Sequence, residues 1–310
     1  MARLLTIGVP WDSCAREGQV DEAALELRKL GLVDRLAARH DLRDWGELVV
    51  PAPDPVRAAG SGLLNEGPLL VMVARLRDAV AFGCEEGYTS LVYGGDCAVL
   101  LGCLAGARGV LGEIGLVSVD GHDDAYRLED SPDGQAADSE IALALGLTGA
   151  NAPRALRELL PLVRPEHLAM LGPRRANDRL QGGYPSLAET VGQELFYRSD
   201  LQLRDEGCGT AGRAAVARVS GLASGAPGRA RPYWLHVDLD VLDSAAFPAQ
   251  DFLAPGGLSR VELVELVDGV LAGRGCCGVS ITVYNPALDP DRIVGRLVVE
   301  FIARLALRLK

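Results

Sequence analysis

No apolar run in this chain approaches the roughly 20 residues that a membrane-spanning helix needs. The opening, Met1-Ala2-Arg3-Leu4-Leu5-Thr6-Ile7-Gly8-Val9-Pro10, lacks the long apolar core of a secretory leader and reads as a first strand. The seven cysteines (14, 84, 97, 103, 208, 276 and 277) are odd in number and show no regular spacing, so no disulfide framework is implied. A reduced, cytoplasmic protein is expected. Positive charge is scarce: 31 Lys and Arg stand against 42 Asp and Glu, a net charge of -11. That balance argues against nucleic acid or an anionic membrane surface as partner. It suits a solvated acidic surface or a cationic small-molecule substrate. Internal repeats and low-complexity segments are also missing.

What the chain does have is length and apolar content. Its 310 residues are 48% hydrophobic, enough for a large buried core. Apolar runs alternate with amphipathic stretches from end to end. This is the pattern of a three-layer α/β/α fold with a mostly parallel sheet. Strands are expected at Leu4–Val9, Ser90–Tyr93, Ile114–Val119, His167–Leu171, Tyr233–Val237 and Cys277–Val283. Helices are expected from Asp21 to about Ala38, over Glu66–Phe82, Ala98–Ala107, Ala155–Leu160 and Gly207–Val219, and from the Ser259–Glu262 capping box to about Leu271. A last helix places Ile293, Leu297, Val298, Phe301, Ile302 and Leu305 on one face. Ser220–Pro232, rich in Gly, Ala, Ser and Pro, reads as a loop.

Three of these runs end in acidic or metal-binding residues: Gly94-Gly95-Asp96-Cys97, Asp120-Gly121-His122-Asp123-Asp124 and Asp238-Leu239-Asp240-Val241-Leu242-Asp243. Alternate residues of an extended chain share a face, so Asp120, His122 and Asp124 can converge, as can Asp238 and Asp240. Such a cluster repels itself unless cations neutralise it, and carboxylates can bridge two divalent ions. Taken singly, an Asp-x-Asp is a common strand end, a lone His a common core residue and Cys97 a buried hydrophobe. The segments lie from Cys97 to Asp240 and must meet in space, so one domain over 1–310 is expected. In open parallel sheets, ligands bind beyond the carboxyl ends of the strands, where all three segments fall.

In this order the segments resemble the signatures of the arginase/agmatinase (ureohydrolase) family: Gly-Gly-Asp-His, Asp-Ala-His-x-Asp and Ser-x-Asp-x-Asp-x-x-Asp-Pro. Leu171-Gly172-Pro173-Arg174, Pro255-Gly256-Gly257-Leu258 and Asn285-Pro286 match further family elements, so the resemblance runs over nearly the whole chain. It implies two Mn2+ ions per chain. One would be held by Cys97, Asp120, Asp124 and Asp238, the other by Asp120, His122, Asp238 and Asp240, with a bridging hydroxide as nucleophile. It also implies a homo-oligomer, trimer or hexamer, acting on a small-molecule substrate. Asp124 or His236 would handle the proton.

The chain departs from the family at three places. Cys97 replaces the first histidine ligand, and its soft thiolate raises Zn2+ or Fe2+ as alternatives to manganese. His236 stands where the family has Ser, as a hydrogen-bonding support, a proton carrier or a structural residue. Val283 occupies the place of a glutamate that grips the guanidinium, unless it is a core residue in a shifted alignment. The loop after Asp124 lacks the family's histidine but carries Glu129, Asp130, Asp133, Asp138 and Glu140. It reads as a solvated acidic loop or, with Asp133 and Asp138 as candidate partners, as a site for a cationic group. The expected activity is hydrolysis of a non-peptide C–N bond in a linear amidine or guanidine, modified rather than unmodified arginine. The alternatives are a non-catalytic binding or regulatory protein with a degenerate metal site, and a mononuclear zinc deacetylase-like amidohydrolase.

Overall fold

The computed structural model describes residues 2–174, 182–222 and 230–309. Eight strands form one sheet: β1 (Arg3–Gly8), β2 (Asp41–Glu47), β3 (Thr89–Tyr93), β4 (Gly115–Val119), β5 (Leu168–Gly172), β6 (Phe196–Ser199), β7 (Tyr233–Asp238) and β8 (Cys276–Thr282). Their order is β2-β1-β3-β8-β7-β4-β5-β6, and each neighbouring pair is parallel. The central strands are buried on both faces and are correspondingly mostly apolar.

Alternation along each strand divides the core in two. Leu4, Leu91, Val117, Leu235 and Val279 face a layer built from α1 (Ala23–Lys29), α2 (Leu32–Ala37) and the helices Cys208–Val219, Arg260–Leu271 and Ile293–Ala306. Leu5, Ile7, Val92, Leu116 and Met170 face the helices Glu66–Glu85, Val99–Leu111 and Glu140–Leu145. Helices therefore cover both sides of the sheet, in three layers. Among the described residues no helix is long and apolar enough to cross a membrane.

Several expectations need correction. The helix expected from Asp21 to Ala38 is broken. Gly31 takes φ +86, which ends α1 and starts α2. Asp21 accepts from the backbone N–H groups of Gly18 and Gln19 and caps no long helix. Strands β2 and β6 escape the sequence pattern because both are edge strands. β2 reads Asp-Leu-Arg-Asp-Trp-Gly-Glu, without the apolar signature of its neighbours. In the last helix Val298, Ile302 and Leu305 face inward as expected, but Ile293 is 62% exposed, and Val294 and Val299 are buried as well. The strand expected to reach Val283 ends at Thr282. The capping box at Ser259 and the helix to Leu271 are present as expected. Part of the loop expected over Ser220–Pro232, residues 223–229, lies outside the described residues.

Candidate metal centre

The acidic segments follow β3, β4 and β7, and Val283 follows β8; these four strands are adjacent in the order β3-β8-β7-β4. After β3 the chain turns through Gly94 and Gly95 at φ +86 and +70, and a Cβ on Gly94 would sit 2.8 Å from Ala24 N. Buried Asp96 accepts from Ser13 N at 2.5 Å and Ala98 N at 3.1 Å, which ties the segment after β1 to this turn. Cys97, just ahead of the helix Val99–Leu111, meets the carboxylate of Asp238, with Thr282 Oγ1 3.6 Å away.

Strand alternation is not what brings the second segment together. β4 ends at Val119, and Asp124 sits in a loop at φ +41. Asp120 Oδ1 accepts from His122 N at 2.7 Å, folding the loop back on itself. Asp240 likewise lies on a helical turn, Leu239–Val241, and donates its N–H to Asp238 Oδ1 at 2.7 Å. His122 Nδ1 stands 2.9 Å from Asp240 Oδ2.

Arg174, 2% exposed, locks these loops. It donates to the backbone oxygens of Asp240 at 2.8 Å and of Ala254 and Gly256 at 3.3 Å each, while its own N–H donates to Gly121 O at 3.0 Å. Gly121 has no Cβ because the Arg174 guanidinium occupies that space.

Three groups of ligand atoms have every mutual separation within 4.8 Å: Cys97, Asp120, His236 and Asp238; Cys97, Asp120, Asp124 and Glu140; and Asp120, His122 and Asp240. Asp120 Oδ2, both oxygens of Glu140 and His236 Nε2 are buried without a hydrogen-bond partner. Buried polar atoms rarely stay unpaired. Mixed carboxylate, imidazole and thiolate donors converging on common points fit divalent ions. The six residues expected from sequence to bind metal all belong to these groups.

The protonation behaviour shows the same strain. Burial, reinforced by neighbouring carboxylates, pushes Asp120 up to about 7 and holds Asp124, Asp238 and Glu140 well above the usual carboxylate range. Burial, with Asp238 next in weight, raises the Cys97 thiol. Burial would lower His122, but Asp240 outweighs it and lifts the imidazole to about 9. Burial also opposes ionisation of Asp240, yet His122 and Arg174 bring it below the ordinary value. Burial drops His236 to about 3, so it stays neutral. Its Nδ1 lies 2.8 Å from Ser280 Oγ, which also accepts from Trp234 Nε1 at 3.0 Å.

A cavity of about 150 Å³ opens above the cluster. Cys97, His122, Asp124, Asp238 and Asp240 reach it, and Val283, Asp133, Asp138 and Phe252 form its sides. His236 is fully buried and is not on the cavity wall. Val283 has φ +73, an outlier for a β-branched residue, held by its N–H to Gly95 O at 2.9 Å. Burial, then Asp133, raises Asp138 to about 7, while Ser131 and Ser139 donate hydroxyls to it.

Glu140 is the residue whose place the sequence pattern hides. It stands at the end of a stretch that reads as an acidic, solvated loop, yet it is 0% exposed. The available signal is its position: it opens the run Glu140-Ile-Ala-Leu-Ala-Leu145, every residue of which is buried.

An arginase of Bacillus caldovelox is 24% identical over 308 residues, covering 98% of each chain. The native structure of arginase from that organism superimposes with a TM-score of 0.84 at 23% identity, covering 99% of this chain and 98% of the other. The proclavaminate amidino hydrolase of Streptomyces clavuligerus superimposes with a TM-score of 0.73 at 19% identity, covering 99% and 91%. Those superpositions show a shared fold. The family model described as "Arginase family" matches residues 2–307, nearly the full length, and the chain belongs to the arginase family.

Proposed function

We propose that this protein is a metal-dependent hydrolase of a non-peptide C–N bond in a linear amidine or guanidine. Its substrate carries a modified reacting group, N-hydroxylated, formimino or ureido, rather than the plain guanidinium of arginine. The observation that carries the proposal is the ligand cluster that reaches the cavity, with Val283 on the wall at the position where the family's pattern has a glutamate.

Asp120 and Asp238, with His122 and Asp240 on one side of the cluster and Cys97 and Asp124 on the other, would hold the ions. When bound, such ions supply Lewis acidity and a nucleophile from water near neutral pH. Asp124 is the group we assign to the proton taken up by the leaving amine. His236 is buried, neutral and off the cavity wall, which favours a positioning role over a proton carrier.

Val283 shapes the choice of reacting group. A buried guanidinium without its carboxylate forgoes a charge-assisted hydrogen bond worth ~1.5–3 kcal/mol. A less basic group loses less. Among the described cavity-lining residues there is no Lys or Arg, whereas Asp133 and Asp138 line one side. This supports a substrate whose far end is cationic and not a free carboxylate.

The test is turnover by the purified protein loaded with Mn2+ or Zn2+, scored as release of urea, hydroxyurea, ammonia or amine. The panel would contain arginine, decarboxylated arginine, N-hydroxyguanidines and formimino compounds. Preference for the modified, cationic members is expected. Release from none of them would sink the proposal.

A further inference from the structure

We propose that Glu140 is itself a metal ligand, which joins Cys97, Asp120 and Asp124 at the inner ion, the one that Asp238 would share. The idea rests on the hydrolase reading only in needing ions at the site. Glu140 is 0% exposed, and neither of its carboxylate oxygens meets a donor. One of its oxygens lies within 4.8 Å of ligand atoms of Cys97, Asp120 and Asp124, each of which lies within that distance of the others. That is the width of a coordination sphere. Donors facing each other across an ion, oxygen at about 2.1 Å and sulphur at about 2.3 Å, stand about 4.4 Å apart.

Among the described residues no other group donates to the Glu140 carboxylate; only its own backbone N–H, too poorly placed for a hydrogen bond, favours the charged form. No ion pair joins Glu140 to Lys or Arg among the described residues. A neutral carboxyl would still want a donor for its carbonyl oxygen, and the neighbouring groups are acidic themselves. The backbone places Glu140 at the first position of a six-residue helix with no side-chain cap.

Glu140 also differs from its neighbours in access. Cys97 and Asp124 line the cavity, but Glu140 does not, so it would hold the ion from the protein side. The inner ion then meets a soft thiolate and hard carboxylates, where the family's pattern has an imidazole in place of the thiolate. Two further anionic donors make the cavity floor more negative, which agrees with a cationic substrate.

Cobalt(II) tests this directly, because a thiolate ligand gives a sulphur-to-cobalt absorption that reports the ion at Cys97 alone; loss in Cys97→Ser identifies the band. Glu140→Gln should raise the cobalt dissociation constant read from that band by more than about 10-fold, the lower end of what loss of a mere outer partner causes. Cobalt per chain at limiting concentration should fall from two to one, with Glu140→Asp in between. Metal-free Glu140→Gln should melt at or above its parent, since a buried charge has been removed. An unchanged band and cobalt count in Glu140→Gln would overturn the proposal. So would a parent protein with no thiolate band, or a metal-free Glu140→Gln that melts well below its parent yet keeps the band. An inactive parent holding two ions would defeat the hydrolase reading and leave Glu140 in place; unaltered cobalt binding in an active Glu140→Gln would do the reverse.

Discussion

Stripping the metal should make this protein less stable as pH rises from 5 to 8. Asp120 has no exposed surface, and its carboxyl is displaced from 3.8 to about 7 by burial and by Asp240. A carboxyl raised in the folded state favours folding while it stays protonated. Its contribution is intact below the unfolded value of 3.8 and is lost as pH climbs to about 7. At 1.36 kcal/mol per pKa unit the part of this loss that falls between pH 5 and pH 7 is about 3 kcal/mol for this one group. His122 acts in the same sense. Raised from 6.5 to about 9, chiefly by Asp240 against the opposing effect of burial, it stabilises below 6.5 and loses that contribution as pH rises towards 9. Asp124, Asp238 and Glu140 are raised as well and act in the same direction, while His236, lowered to about 3 by burial, opposes them only until its unfolded value of 6.5 is passed. Against a total stability of about 5–15 kcal/mol, the change is large. The assay is urea unfolding followed by circular dichroism on chelator-dialysed protein at pH 5 and pH 8. The midpoint should be clearly lower at pH 8, and saturating Mn2+ or Zn2+ should remove most of the difference, because a bound cation favours the deprotonated ligands. A metal-free protein equally stable, or more stable, at pH 8 would refute the argument.

Further perturbations follow from the same geometry. Val283→Glu should tighten binding of a guanidinium ligand by about 10-fold or more, the equivalent of one charge-assisted hydrogen bond, as read by calorimetry. Cys97→His should shift competition between Mn2+ and Zn2+ towards Mn2+, measured by elemental analysis after dialysis against both. Arg174→Met should cost about 3–5 kcal/mol in urea unfolding, as for a broken buried pair, and Arg174→Lys should recover little, because one ammonium cannot reach three carbonyl oxygens. Asp138→Asn should raise KM for substrates with a cationic end while leaving kcat close to the parent value, checked by steady-state kinetics.

The residues that sequence could name are those whose chemistry is local. Asp120, His122 and Asp124, or Asp238 and Asp240, sit two apart after an apolar run, and that spacing is visible in one line of sequence. The central strands announce themselves by continuous apolar character, because both faces are covered. β2 and β6 do not, since an edge strand with charged side chains looks like a loop. Even where the right residues stand out, the local geometry differs: Asp124 reaches the cluster through a loop at φ +41 and Asp240 through a helical turn, not by alternation along a strand.

By itself the sequence determined the three-layer parallel architecture and the six candidate ligands, because hydrophobic periodicity and short motifs are properties of neighbouring positions. Only the tertiary structure decided that Glu140 is buried against Cys97 and Asp124, and that Arg174 staples the Gly121, Asp240 and Gly256 segments. It alone placed His236 beneath the cavity and twisted Val283 onto its side. Burial and convergence are set by how distant segments pack across the ends of four strands. A charge in a loop carries no mark of which side of that packing it will take.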